Sequence, residues 1–167
     1  ISVFNGTNPE PISTSTVKEI LNGIQSGIYQ EKIKWVRSAL PDKIEYTRRK
    51  KTLPAVTFGC CVRYRGLEMN PQNPKSGPQN LISVTQLIAL DLDHLGDKFE
   101  SVRKTLQSDP NILACFKSPG GDGLKVLLYS PGIHTKEDHL RFYYAAERYF
   151  FETYGLKIDP ACKDLAR

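Results

Sequence analysis

In "QLIALDLDHLG", residues 86–96, apolar side chains alternate into two carboxylates and a histidine. On a strand, Leu87, Ala89, Asp91 and Asp93 fall on one face, and Ile88, Leu90 and Leu92 on the other. The strand is expected to span residues 81–93. Carboxylates at i and i+2 on one face can share divalent cations, which prefer hard oxygen ligands. An aspartate that simply caps the strand end or the next helix explains the same residues. His94, next in line, could ligate a metal, contact phosphate or turn to solvent.

Downstream, "GDKFESVRKTLQ" predicts a helix with Phe99, Val102 and Leu106 inward, and Asp97 and Glu100 have the D-x-x-E spacing of a capped start. "NILACFKS" and "GLKVLLYS" are strands. "KEDHLRFYYAAERYFFETYG" is a long helix whose aromatic run is expected to pack a core, with His134 and His139 as cap or surface residues. "LKID" opens a further strand. The order β-α-β-β-α-β predicts an α+β fold of the RNA-recognition-motif or ferredoxin-like kind.

Upstream, the residues before the core predict a helical and strand extension. Residues 1–14 read as an extended lead-in. Val17, Ile20, Leu21, Ile24 and Ile28 have helical spacing, with Ser13 to Ser15 available as caps. A second helix is expected over residues 30–39, ended by Pro41, and a strand over 53–65. A Pro- and Gly-rich loop, residues 66–80, marks mobility or an internal boundary. Two regions are expected: 1–80, basic and packed on the core, and 81–167, a core cut short at its C-terminal end. A chain that opens at Ile1 and stops in a patterned stretch reads as a piece of a longer protein.

The composition, 40% hydrophobic and 25% charged, is that of a soluble globular protein. No apolar run is long enough for a membrane span and no signal peptide is visible, so a cytoplasmic protein without membrane partners is expected. Cys60, Cys61, Cys115 and Cys162 have neither CxxC nor zinc spacing and are expected as free, buried thiols. The net charge of +5 is concentrated in Lys32, Lys34, Arg37, Lys43, Arg48, Arg49, Lys50 and Lys51, against Glu31, Asp42 and Glu45. Arg48, Arg49, Lys50 and Lys51 are candidate nucleic-acid contacts, the alternative being a solvated helix face.

Two further motifs could carry chemistry. "KSPGGDGLKVLL", residues 117–128, places Ser118, Gly120, Gly121 and Gly123 in a tight turn ahead of Lys125. Glycines let backbone N–H groups approach a phosphate, and lysine adds a point charge. GxxxxGK[ST] is absent, so this is no Walker loop, and an ordinary hairpin fits the same residues. "GLKIDPACKDLAR", residues 155–167, supplies Asp159, Asp164 and Arg167. In a ferredoxin-like sheet these could reach Asp91 and Asp93, or they could form surface ion pairs.

Taken in order, DLD, S-P-G-G-D-G-L-K and D-(x4)-D-(x2)-R, with "KKTLPAVTFGC" upstream, resemble the archaeo-eukaryotic primase superfamily. More narrowly they resemble its BT4734-like, or VirE N-terminal, domains, over roughly residues 15–167. The resemblance implies a primase-polymerase core that transfers nucleotides on DNA, in a replication or mobile-element protein with a helicase domain in the same full-length chain. It implies Mg²⁺ or Mn²⁺ on Asp91, Asp93 and Asp159, the catalytic acids, with Asp164 as a further ligand. It implies a nucleoside triphosphate on Ser118, Gly120, Gly121, Gly123 and Lys125, with His94 and Arg167 at hand. Most of the superfamily has histidine where this chain has Lys125, and lysine cannot both donate and accept as imidazole does. A catalytically silent nucleic-acid-binding module is therefore the alternative, and a nuclease using the same acids a third. Catalysis requires the carboxylates of Asp91, Asp93 and one of Asp159 or Asp164 to converge within about 4–6 Å.

Overall fold

The computed structural model describes residues 1–167 and divides into two compact units, Ile1–Ser83 with Ala166 and Val84–Leu165 with Arg167. The fold is α+β, with small antiparallel sheets and five α-helices. No helix is long and apolar enough to cross a membrane.

In the first unit the supposed lead-in is structured. Strand β1 (Ser2–Phe4) lies between β2 (Pro11–Thr14) and, further along the chain, β3 (Ala55–Thr57), all antiparallel. Phe4 anchors it, fully buried under the Arg65 guanidinium at 4.1 Å. A single aromatic in a polar run leaves no periodicity to read, which is why the sequence suggests only extended chain. Helix α1 (Val17–Gln25) is capped by Thr16 rather than by Ser13 to Ser15. The Thr16 amide donates to Glu19 at 2.8 Å and the Glu19 amide to Thr16 Oγ1 at 3.2 Å. The helix stops before Gly27, which adopts φ 76°, so Ile28 lies outside it and is exposed.

Helix α2 (Gln30–Arg37) buries Val36. A third helix, α3 (Lys43–Lys50), was not foreseen, because "KIEYTRRK" has no apolar stripe and buries nothing. Asp42 starts it by accepting from the Ile44 and Glu45 amides. The expected strand over 53–65 is two short strands, β3 and β4 (Cys60–Val62), bent where buried Thr57 donates to the Cys60 carbonyl. The loop beyond is stitched by its own polar groups: Ser76 donates to the Asn73 carbonyl and Asn80 to the Lys75 carbonyl, at 2.7 Å each. It leads into β5 (Leu81–Val84), which pairs with β4.

The predicted strand 81–93 is thus interrupted, and its second part is β6 (Leu87–Leu92) in the second unit. After helix α4 (Phe99–Gln107) come β7 (Ile112–Lys117), β8 (Leu124–Tyr129) and helix α5 (Lys136–Tyr154). The sheet order β6-β8-β7, antiparallel throughout, is that of three strands of a split βαβ fold. Ile88, Leu90 and Leu92 alternate inward and meet Leu124 and Val126 of β8, Leu106 of α4, and Tyr143 and Phe150 of α5. Fully burying each such side chain contributes roughly 1.5–3 kcal/mol.

Three expectations are corrected here. The Asp97–Glu100 box does not form: a 3₁₀ turn occupies Gly96–Lys98, and α4 starts at Phe99 without a side-chain cap. The box belongs instead to α5, between Thr135 and Asp138. His139, expected as a cap or surface residue, is buried on the inner face of α5 with Tyr143, Ala146 and Phe150. The aromatic run does pack the core through Tyr143 and Phe150, while Tyr144 and Phe151 stay exposed. The fourth strand is absent: the chain after α5 makes one backbone bond to β6, from the Asp159 amide to the Asp91 carbonyl at 2.9 Å. Pro160 has no N–H to continue a ladder, and it begins a 3₁₀ turn, Pro160–Lys163, capped by Asp159.

Candidate functional site

Register places the site. Asp91 near the end of β6 stands opposite Lys125 on the central strand β8. Lys125 Nζ donates to Asp91 Oδ1 at 2.5 Å. The main chain of Asp91 is fixed on both sides, since its amide donates to Cys162 Sγ at 3.2 Å and its carbonyl accepts from Asp159. Burial, and then the nearby Asp91 charge, push the Cys162 thiol up to about 11, so it stays protonated.

The tail brings in the second acid. Arg167 Nη2 lies 2.5 Å from Asp159 Oδ2 and 3.5 Å from Asp91 Oδ2, so one guanidinium nitrogen bridges two carboxylates. Asp159 spends its other oxygen on the Ala161 amide at 2.9 Å. The bond from the Asp159 amide to Asp91 therefore sets both main chain and side chain at the acidic strand end. Hard oxygen donors sharing one positive group are the chemistry a divalent cation would use. In that respect Asp91 and Asp159 fit a metal.

The other acids sit apart from that bridge. Asp93 lies one residue past β6 and is exposed. A Cβ on Gly123 would come 2.6 Å from the Leu92 carbonyl oxygen, 3.1 Å from Asp93 Oδ1 and 3.2 Å from Ser118 Oγ. Gly123 is therefore required by close approach, with side-chain atoms of Asp93 and Ser118 both beside it. Asp164 acts electrostatically on His139 instead. No three His, Cys, Asp or Glu side chains gather as metal ligands.

Within the turn, the Ser118 amide donates to the Gly123 carbonyl and the Gly121 amide to the Ser118 carbonyl, at 2.8 and 3.0 Å. Those two donors serve the turn itself. Gly121 adopts φ 90°, which the turn needs, and Gly120 precedes it at the tip. Asp122, a polar residue among glycines with no spacing signal of its own, docks this tip. Its carbonyl accepts from the Leu95 amide and its Oδ1 from the Gly96 amide, at 2.9 and 2.8 Å. His94, at φ 58° and almost wholly exposed, lies 3.8 Å from Asp122 Oδ2.

A second cluster was also missed. Buried Asp109 accepts from Tyr154 at 2.6 Å and Tyr149 at 3.0 Å, tying the α4–β7 loop to the end of α5. Burial works to raise the Asp109 carboxyl, but hydrogen bonds from Tyr154, the Asn111 amide and Tyr149 outweigh it and hold it below the usual range. A lone Asp before Pro110 carries no sign of such distant partners.

In the first unit, α3 gathers the basic candidates. Arg48 and Arg49 both reach Glu45, each at 2.6 Å, and hold its carboxyl down at about 2. Arg49 also donates to the Trp35 carbonyl and stacks over its ring at 4.7 Å, which makes it a pin between α2 and α3. Lys50 lies 5.9 Å over the Tyr46 ring, and Lys51 caps the helix end. Basic residues in the last turn also suit the helix dipole. All four cysteines are free thiols, Cys60 and Cys162 buried and the other two half-buried.

Fold and site together define an α+β domain whose acidic strand end is built into an ion-paired centre. A family model described as "BT4734-like, N-terminal domain" matches residues 48–167, well over half of the chain. The chain belongs to the BT4734-like N-terminal domain family. No curated protein and no solved structure matches it.

Proposed function

We propose that the chain is a primase-polymerase-type domain that transfers nucleotidyl groups on DNA, the catalytic part of a replication or mobile-element protein with a helicase domain in the same full-length chain. What carries the reading is the convergence of Asp91 and Asp159 on one cation, with Lys125 facing Asp91 across the sheet. Asp91 and Asp159 would hold Mg²⁺ or Mn²⁺, with phosphate oxygens and water completing the coordination. When bound, the metal supplies charge neutralisation at the α-phosphate under attack by a primer 3′-hydroxyl. Lys125 donates to phosphate oxygens, and the Ser118–Gly123 turn, docked by Asp122, lies beside it. Lys50 and Lys51 on α3 supply phosphate-backbone contacts, since Arg48 and Arg49 are engaged with Glu45.

The test is primer synthesis or extension with labelled nucleotides and Mn²⁺. Template-dependent incorporation by the wild type, abolished in Asp91→Ala, is expected. The Lys125–Asp91 pair favours a second reading, a DNA-binding module without catalysis. It predicts no incorporation by the wild type and DNA binding that survives Asp91→Ala. Strand scission in the same assay would mark a nuclease.

A further inference from the structure

The charges of the Asp91 centre balance: two carboxylates face two cations. Asp91 Oδ1 has Lys125 and Oδ2 has Arg167, which Asp159 shares. The two halves differ in how firmly they are held. The carboxylates are the inner members, with side chains 18% and 27% exposed for Asp91 and Asp159, against 37% and 43% for Lys125 and Arg167. Both aspartates are also anchored through backbone bonds, Asp91 to Cys162 and Asp159, and Asp159 to Ala161. Lysine and arginine reach in on long, rotatable stems from the solvent side. A divalent cation offers the same oxygens twice the charge of either, so the arrangement can exchange one positive partner for another without moving the acids.

We propose that Lys125 and Arg167 are exchangeable counter-ions, which pair with Asp91 and Asp159 in the absence of a divalent cation and swing outward onto phosphate oxygens when a metal–nucleoside triphosphate arrives. The inference deepens the nucleotidyl-transfer reading and rests on it. Metal and triphosphate are then coupled, because the metal releases the cations that the phosphates use. Lysine at this position, where it pairs with Asp91, becomes the releasing element rather than a lost catalytic group.

The exchange predicts effects of opposite sign from one substitution. Lys125→Met keeps an unbranched stem and removes the charge. Titrated with Mn²⁺ alone and followed by the paramagnetic resonance of free Mn²⁺, the variant should bind the ion roughly five- to tenfold more tightly than wild type. At saturating Mn²⁺, its affinity for dATP by calorimetry should fall about tenfold. Arg167→Gln should give the same pair of signs, and it carries the test if Lys125→Met proves unfolded by its thermal melt. Unchanged or weakened Mn²⁺ binding in a folded variant overturns the exchange. Incorporation by the wild type without opposite shifts sinks the exchange alone. Opposite shifts without incorporation sink nucleotidyl transfer alone.

Discussion

The two units use charge differently. The first has twelve Lys and Arg against six Asp and Glu, the second eleven against twelve. In the first, most ion pairs are local: Lys34 with Glu31, and Arg48 and Arg49 with Glu45, all within one helical turn. Such pairs hold a solvated helix together, and each contributes little. The second has local pairs too, Arg103 with Glu100 and Arg141 with Asp138, but adds ion pairs between residues far apart in sequence, Lys125 and Arg167 with Asp91, beside a sheet packed on two helices. A net excess of charge therefore does not mark where charges from distant parts of the chain meet. The nearly neutral unit is where opposite charges converge.

Truncating a large side chain breaks this contrast most sharply. Phe150→Ala, at a fully buried position of α5, should cost about 3–5 kcal/mol in urea unfolding. Ile44→Ala, on exposed α3, should stay within about 0.5 kcal/mol. Equal losses would mean that the first unit depends on contacts its surface does not suggest. Gly123→Ala forces a methyl group against the Leu92 carbonyl and should lower stability by about 1–3 kcal/mol in the same assay. Its effect on nucleotide affinity should exceed that of Gly120→Ala at the turn tip. Tyr154→Phe removes one hydroxyl from Asp109 and should cost about 1 kcal/mol, read as a fall in melting temperature.

Acid sensitivity gives a finer contrast. Burial lowers the pKa of His139, against the Asp164 charge and a hydrogen bond from its ring to the Lys163 backbone, and its Nδ1 has no partner. The unfolded chain therefore takes up this proton first. Stability from His139 is fully present above about pH 6.5 and is lost as pH falls toward the depressed folded value. Melting temperature measured from pH 7.5 to 5.5 should fall in the wild type and fall less in His139→Gln. Smallest of all, Arg48→Ala should leave the melting temperature unchanged, because its partner Glu45 keeps Arg49.

What could be read in advance follows the range of each interaction. Within the expected strand 81–93, residues 87–92 are legible by their alternation, residues 124–129 as a short apolar run, and α5 by its length, because these patterns are local. Helix α3 was hidden because a polar, solvated helix has no periodicity, and β1 because one buried Phe4 decides it. Asp91, Lys125 and Asp159 could be nominated from motif order. That Lys125 grips Asp91, and that Arg167 joins Asp91 to Asp159, depends on strand register and on Pro160 ending the last extended segment. Asp122 and Asp109 work through partners that no spacing predicts.

In the proposed function, Asp91 anchors one centre for metal and triphosphate. Its most direct test is Mn²⁺-dependent dATP binding by calorimetry, comparing wild type with Asp91→Asn, which keeps shape and removes charge. Binding should depend on Mn²⁺ in the wild type and fall by about tenfold or more in the variant. Equal binding in both, or binding indifferent to Mn²⁺, would contradict it.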